Sequence, residues 1–303
     1  MTTAFSETDL IDAADPLTAL VTADAPVDKR RRSLGVAATI AAVIAALMII
    51  VALLAPLIAP YAPNVGKTAQ RLGGFGTRGH LLGTDGQGRD VLSRLIWGAR
   101  LSLLTGFIPV AIAGTLGTSF GIIAGLAGRG VHGTIMRTLD VFYAFPAVLL
   151  AITIAAALGS GVSNSIVALT VILIPPIARV AETETARLRR ADFLEAATAS
   201  GARRSSVAFR QVLPNVGPAI TVYCTTLIGL SIVYAAGLSF LGLGVSPPTA
   251  EWGLMISDAR QYIYNAPLIA LAPAIAILVA SITFNVLGDG LRKLLDVRSE
   301  RFV

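Results

Sequence analysis

VFYAFPAVLLAITIAAALGSGVSNSIVALTVILIPPIA, residues 141–178, carries no charged side chain. A bilayer hydrocarbon core of about 30 Å is crossed by about 20 helical residues rising about 1.5 Å each. The run is too long for one crossing, and near its middle lies a turn cluster, Gly159-Ser160-Gly161-Val162-Ser163-Asn164. It therefore reads as two spans, over 137–158 and 163–185, joined by a short loop. Four more charge-free stretches, 33–66, 101–128, 211–250 and 261–288, are each long enough to cross. The third of these runs into Gly242, Gly244, Pro247 and Pro248, so its helix stops near Leu241. The expectation is an all-α polytopic membrane protein with six transmembrane helices: 34–59, 100–128, 137–158, 163–185, 213–241 and 267–290. Period-two alternation is absent, which argues against a β-barrel.

Composition agrees with this reading. Of 303 residues 54% are hydrophobic and 14% charged, against roughly 25% charged in an ordinary soluble domain. That excludes a soluble enzyme, a disordered chain and a secreted disulfide scaffold. The single cysteine, Cys224, permits no internal disulfide and reads as a small apolar residue, while His80 and His132 lie far apart without a ligand cluster. The net charge of +6 reports topology rather than nucleic-acid binding. Most Lys and Arg fall in the segments that are cytoplasmic when the N-terminus is inside, so both termini are expected in the cytoplasm.

The chain divides into an acidic, disordered cytoplasmic tail over 1–33, a first span over 34–59, an extracytoplasmic loop over 60–99, a permease domain over 100–298 and a short C-terminal tail over 299–303. The tail holds Glu7, Asp9, Asp12, Asp15, Asp24 and Asp28, then Lys29-Arg30-Arg31-Arg32. The apolar run that follows exceeds a signal-peptide core of about 7–15 residues, so it reads as a retained anchor.

The informative polar segment is the cytoplasmic loop over 186–212, within ARLRRADFLEAATASGARRSSVAFRQVLPN, residues 186–215. Asp192 and Glu195 have capping-box spacing, and Phe193, Leu194, Ala196 and Ala197 give a short helix with an apolar face. Gly201 is placed to end it in the left-handed conformation. Ser205 or Ser206 is expected to cap a second short helix ending before Pro214. A helix of about eight residues is marginal alone in water. It needs a surface to dock on, either the membrane interface or a partner.

Glu195-Ala196-Ala197, Gly201 and Leu213-Pro214 resemble the EAA loop of ATP-binding-cassette importer permeases. The resemblance extends to Ala55-Pro56-Leu57-Ile58-Ala59-Pro60-Tyr61, His80-Leu81-Leu82-Gly83-Thr84-Asp85, Gly88-Arg89-Asp90, Met136-Arg137, Phe145-Pro146, Ser239-Phe240-Leu241-Gly242-Leu243-Gly244, Trp252-Gly253 and Leu287-Gly288-Asp289-Gly290. The chain is similar to the C-type permease subunit of dipeptide, oligopeptide and nickel importers, and departs from that pattern at Ala62, Glu182 and Gln211. The resemblance implies a type I importer permease whose coupling helix contacts a separate ATPase through Asp192, Glu195, Ala196, Ala197, Gly201, Leu213 and Pro214. It also implies a heterodimer with a sister permease, two ATPase subunits carrying the ATP and Mg, an extracytoplasmic substrate-binding protein, and a bacterial inner membrane. Peptides are the expected cargo, with nickel or another small solute as the alternative.

No cofactor is expected in this chain. Gly66-Lys67-Thr68 resembles the end of a phosphate loop, but Tyr61 stands where that motif requires glycine. Asp85 and Asp90, with Arg89 and Arg94 beside them, read as a surface ion-pair cluster rather than a catalytic dyad. Gly117, Gly121 and Gly125 repeat every four residues, which lets helices approach closely. Pro175-Pro176 is expected to kink the fourth span, and Asp140 has Arg137 at i,i+3 spacing. A six-span secondary transporter is disfavoured because the middles of the spans are almost free of ionisable groups.

Overall fold

The structure, a computed structural model, describes residues 35–189 and 191–299, apart from the side chains of Arg78 and residues 296–299. The expected acidic tail over 1–33 lies outside these residues, as does the C-terminal tail beyond Ser299. The described chain is helical: α1 Val36–Leu53, α2 Ala55–Ile58, α3 Val91–Leu126, α4 Arg129–Tyr143, α5 Ala147–Leu158, α6 Val162–Leu188, α7 Asp192–Ala199, α8 Arg204–Val207, α9 Leu213–Phe240, α10 Trp252–Ala259 and α11 Pro267–Ser299. Thr84 and Asp90 form an isolated antiparallel bridge.

Five helical stretches are long and apolar enough to cross a membrane: α1, α3, α6, the continuous Arg204–Phe240, and α11. The sixth crossing departs from expectation. Residues 137–158 do not form one helix; α4 and α5 meet at 87°. The break falls where Pro146 lacks an N–H and disfavours helical backbone at Phe145. With 12 residues, α5 rises about 18 Å, too short to cross alone. The pair has the form of a broken span or a re-entrant loop, and makes the sixth crossing in the first case.

Other boundaries move as well. Helix α3 starts at Val91 rather than near residue 100, because the Asp90 carboxylate accepts the Ser93 N–H at 2.7 Å and caps it. Helix α6 runs through Pro175 and Pro176 to Leu188 without ending. Helix α11 extends to Ser299.

Helix α3 packs along α6 through the glycine row. A Cβ at Gly121 would lie 2.4 Å from the Ala178 carbonyl oxygen and 2.5 Å from the Ala181 Cβ. At Gly117 it would lie 2.9 Å from the Ile174 oxygen, and at Gly125 2.6 Å from the Thr185 Cβ. The three glycines thus form a groove filled by the α6 backbone, an arrangement that small residues at i,i+4 spacing permit. The opposite surfaces are apolar and open: Val43 and Leu47 on α1, and Leu271, Leu278 and Ile282 on α11, are exposed. Such faces suit lipid, which is as apolar as leucine.

The loop after α2 folds onto the segment around α10. The cluster expected at the surface is in fact buried. Arg89 is 2% exposed and Arg94 1%. Arg89 donates to Asp85 at 2.6 Å and to Asp258 at 3.1 Å, while Arg94 Nε lies 3.5 Å from Asp85. Arg94 also donates to the carbonyls of Pro63 and Pro248, each at 3.1 Å. The glycines between these residues make the turn, with Gly83 and Gly88 at positive φ. The clustering follows from charge compensation: two buried guanidinium groups persist only with carboxylates beside them. Asp90 also meets His80 Nδ1 at 2.8 Å, and the Tyr61 ring lies against that imidazole, tilted by 41° with ring centres 4.5 Å apart.

Glu251 anchors the other side of this junction. It is 1% exposed, and its carboxylate accepts from the amides of Gly253 and Leu254 and from the Ser102 hydroxyl. Burial pushes this carboxyl up from its usual range, against the opposing pull of the two amides. Glu251→Ala removes the cap of α10 and strands three donors, for an expected loss of about 2–3 kcal/mol. Thermal unfolding of the detergent-solubilised protein checks this.

Candidate functional site

Helix α6 ends at Leu188, and Arg189 reaches back to the Gly125 carbonyl at 3.4 Å, tying the loop that follows to the end of α3. The backbone then turns, with the Ala191 amide donating to Leu188 O at 2.9 Å. Helix α7 covers Asp192–Ala199, so the expected short helix is present at the expected place.

Its N-terminus differs from the capping box read from the sequence. The N-cap is Ala191, extended at φ −81° and ψ 133°, and no side chain caps it. Asp192 is already the first helical residue, so its carboxylate is not placed to accept from the first-turn amides as an N-cap residue does. Asp192 and Glu195 instead put negative charge into the first turn, where the helix dipole favours it.

The C-terminus matches the sequence reading. Gly201 has φ +75°, its amide donates to Thr198 O at 3.0 Å, and the Ala202 amide donates to Ala197 O at 3.1 Å. These two bonds form a Schellman motif.

One face of α7 is held and the other is open. Leu194 is 4% exposed and shares with Leu126, Arg189 and Val207 the wall of a cavity of about 280 Å³. Ala197 is half-buried against the same core. Asp192, Phe193, Glu195, Ala196 and Ala199 are exposed. A phenylalanine presented to solvent from an eight-residue helix lacks the apolar cover that burial would give it.

The second half of the loop departs from expectation. Neither Ser205 nor Ser206 caps a helix; the N-cap of α8 is Arg203, without a side-chain bond. The helix does not stop before Pro214 either. It continues from Arg204 through a π turn at Ala208–Val212 into α9. Pro214 has no N–H, and its ring crowds the carbonyl four residues back; a π turn at this point relieves both. The Asn215 side chain donates to the Gln211 carbonyl at 2.6 Å. Leu213 is half-buried and Pro214 exposed.

A second group of residues gathers where α4, α6 and α9 meet. Asp140 does not pair with Arg137; it accepts a hydrogen bond from Arg179, whose guanidinium sits 5.3 Å from the centre of the Tyr143 ring. Spacing along one helix pointed to Arg137, but the bend between α4 and α5 and the packing of α4 against α6 bring Arg179 in instead. Beside the pair lies a cavity of about 330 Å³, whose lining includes Tyr143, Pro176, Tyr223 and Tyr234. Nothing in the sequence placed these tyrosines together.

Residues 117–301 match the family of binding-protein-dependent transport system inner membrane components. The chain belongs to that family. The matched region runs from the glycine row on α3 through α7, the π turn and both walls of the tyrosine cavity. The glutathione transport system permease protein GsiD of Pectobacterium atrosepticum is 42% identical over 217 residues, covering 72% of each chain. The dipeptide transport system permease protein DppC of Alkalihalophilus pseudofirmus is also 42% identical, over 72% of this chain and 71% of its own. Among solved structures, an inward-facing form of the MetNI methionine ABC transporter matches with a TM-score of 0.56 at 19% identity, covering 67% of this chain and 97% of that one. At that identity the likeness concerns the fold.

An inner membrane component of a binding-protein-dependent transport system moves a solute rather than transforming it. For this permease the features that bear on transport are therefore a wall along which solute passes and a contact through which movement is driven. The tyrosine cavity and α7 are candidates for the two.

Proposed function

We propose that the chain is a permease subunit of an ATP-driven importer of short peptides. It forms the translocation path with a sister permease, in the inner membrane of a bacterium, with both termini cytoplasmic. A receptor outside the membrane delivers the peptide, and two separate ATPase subunits hold the ATP and Mg. Two relatives 42% identical to this chain are named for glutathione and dipeptide transport, which favours a peptide over nickel or another small solute.

The observation that carries this reading is α7. It is a short helix, stopped by the left-handed Gly201 and seated by Leu194, with Phe193, Glu195 and Ala196 exposed on its free side. An element gripped on one side and open on the other transmits a push when a partner changes shape. Ala196 and Ala197 allow a close approach, and Glu195 supplies a charge for a basic group on the partner.

The test is reconstitution. The chain, its sister permease, the two ATPases and the receptor in liposomes are expected to accumulate labelled dipeptide only with ATP. With Ala196→Cys, a thiol crosslinker is expected to join this chain to an ATPase subunit. Uptake by the purified chain alone, driven by an ion gradient, would overturn the reading in favour of a secondary transporter. Accumulation of nickel but not dipeptide would move the cargo to the metal.

A further inference from the structure

Arg179 lies about 25 Å along α6 from its start at Val162, near the inner edge of a hydrocarbon core about 30 Å thick. Its side chain is 50% exposed and that of Asp140 51%. Charged groups at that depth face a water-filled cavity or protein, since exposure to hydrocarbon is strongly unfavourable. The pair also adjoins the 330 Å³ cavity: Tyr143 belongs to the cavity wall and lies under the Arg179 guanidinium, and Pro176 is one turn before Arg179 on α6. That volume falls at the lower end of small-ligand cavities, about 300–1,000 Å³.

We infer that the Asp140–Arg179 pair and the tyrosine cavity beside it form a binding site for zwitterionic short peptides on the translocation path. The inference rests on the peptide-importer reading and adds the residues that meet the cargo. The physical reason is exchange of like for like. At the edge of the hydrocarbon core, separating Asp140 from Arg179 without replacement leaves two uncompensated charges, and charges there persist only when paired or facing water. A peptide with free termini replaces both at once: its ammonium donates to Asp140 and its carboxylate accepts from Arg179. Net charge in the site stays the same, and the one charge-assisted hydrogen bond between the two side chains gives way to two with the peptide. The apolar and aromatic wall formed by Ile172, Leu227, Tyr223 and Tyr234 then meets the peptide's side chains without demanding a particular sequence. Without peptide the two side chains close on each other, which removes the free charges that would attract ions into the path.

The site is tested by protection of a cysteine in the complete transporter. In a Cys224→Ser background, Leu230→Cys places a thiol on the cavity wall, because Leu230 lines the cavity and is 38% exposed. A charged maleimide is expected to label it. Alanyl-alanine at about ten times its Kd is expected to slow labelling about tenfold, because protection scales with ligand concentration over Kd, and N-acetyl-alanyl-alaninamide is expected not to. Asp140→Asn and Arg179→Gln are each expected to abolish the protection. The exchanged pair Asp140→Arg with Arg179→Asp is expected to restore it, because a reversed peptide meets the same charges. If the single variants no longer assemble with the ATPases, the exchanged pair carries the test. Equal protection by both peptides, protection that survives Asp140→Asn, no protection in the exchanged pair, or a thiol that never labels would each overturn the site. ATP-driven uptake of labelled alanyl-alanine by the wild-type transporter separates the two readings: uptake without protection removes the site and keeps the importer, whereas absent uptake removes the peptide cargo.

Discussion

Gly201→Asp is expected to bring ATP-driven uptake down to background while leaving the chain inserted and assembled. The φ of +75° is a left-handed value, and an added Cβ would meet nothing within 4 Å. The cost is therefore backbone strain, about 1–2 kcal/mol for an ordinary residue and less for Asp, which visits this region more readily than most. That is too little to unfold a protein of this size, but it falls on the Schellman turn that fixes the end of α7. It also places a carboxylate beside the surface that carries Phe193 and Ala196. Labelled-peptide uptake and ATPase activity in proteoliposomes check it. Gly201→Ala, which adds the strain without the charge, is expected to keep part of the uptake. Normal uptake by Gly201→Asp would remove α7 from the coupling path.

Gly121→Leu is expected to prevent stable folding, with a loss of about 4 kcal/mol or more. The contacts are with backbone: the Ala178 carbonyl at 2.4 Å and the Glu182 amide nitrogen at 2.8 Å from the position of a Cβ. Neither moves unless α3 and α6 separate, and that separation would open the central packing of the bundle. Gly237→Ala on α9, where a Cβ meets nothing within 4 Å, is the matched control. It is expected to be neutral or slightly stabilising, since alanine is the better helix former by about 1 kcal/mol. Yield of monodisperse protein and its unfolding temperature in detergent distinguish the two. Equal behaviour of both variants would mean that the glycine row does not set the α3–α6 distance.

The crossings were legible because hydrocarbon thickness imposes a length that charge-free runs reveal directly. The glycine row was legible for a related reason: i,i+4 spacing puts small residues on one helix face whatever that face meets. Gly201 was legible from its place just after the amphipathic segment Asp192–Ala199, because few residues other than glycine take a left-handed turn without strain. The break between α4 and α5 was not, although Phe145-Pro146 marks it. A proline marks where a helix is weak, but the 87° angle depends on what α4 and α5 pack against. The capping box failed by a single position, since the Leu188–Ala191 turn decides which residue enters the helix first. Ser205 and Ser206 were good caps in composition, but the helix already starts at Arg204, ahead of them.

The charged groups show the same division. Proximity in sequence paired Asp140 with Arg137; the fold pairs it with Arg179, 39 positions away. Asp85, Arg89, Asp90 and Arg94 looked like a solvated cluster, because a sequence window does not contain Asp258 or the α10 segment that buries them. The sequence by itself determined that the chain lives in a bilayer, which five segments are long and apolar enough to cross it, and where a short helix lies between the third of these and the fourth. These are local consequences of hydropathy, length and backbone conformation. Only the tertiary structure decided which charges meet, which are buried, and which tyrosines share a wall. Those depend on helices far apart in sequence lying side by side, and no local pattern encodes the distance between them.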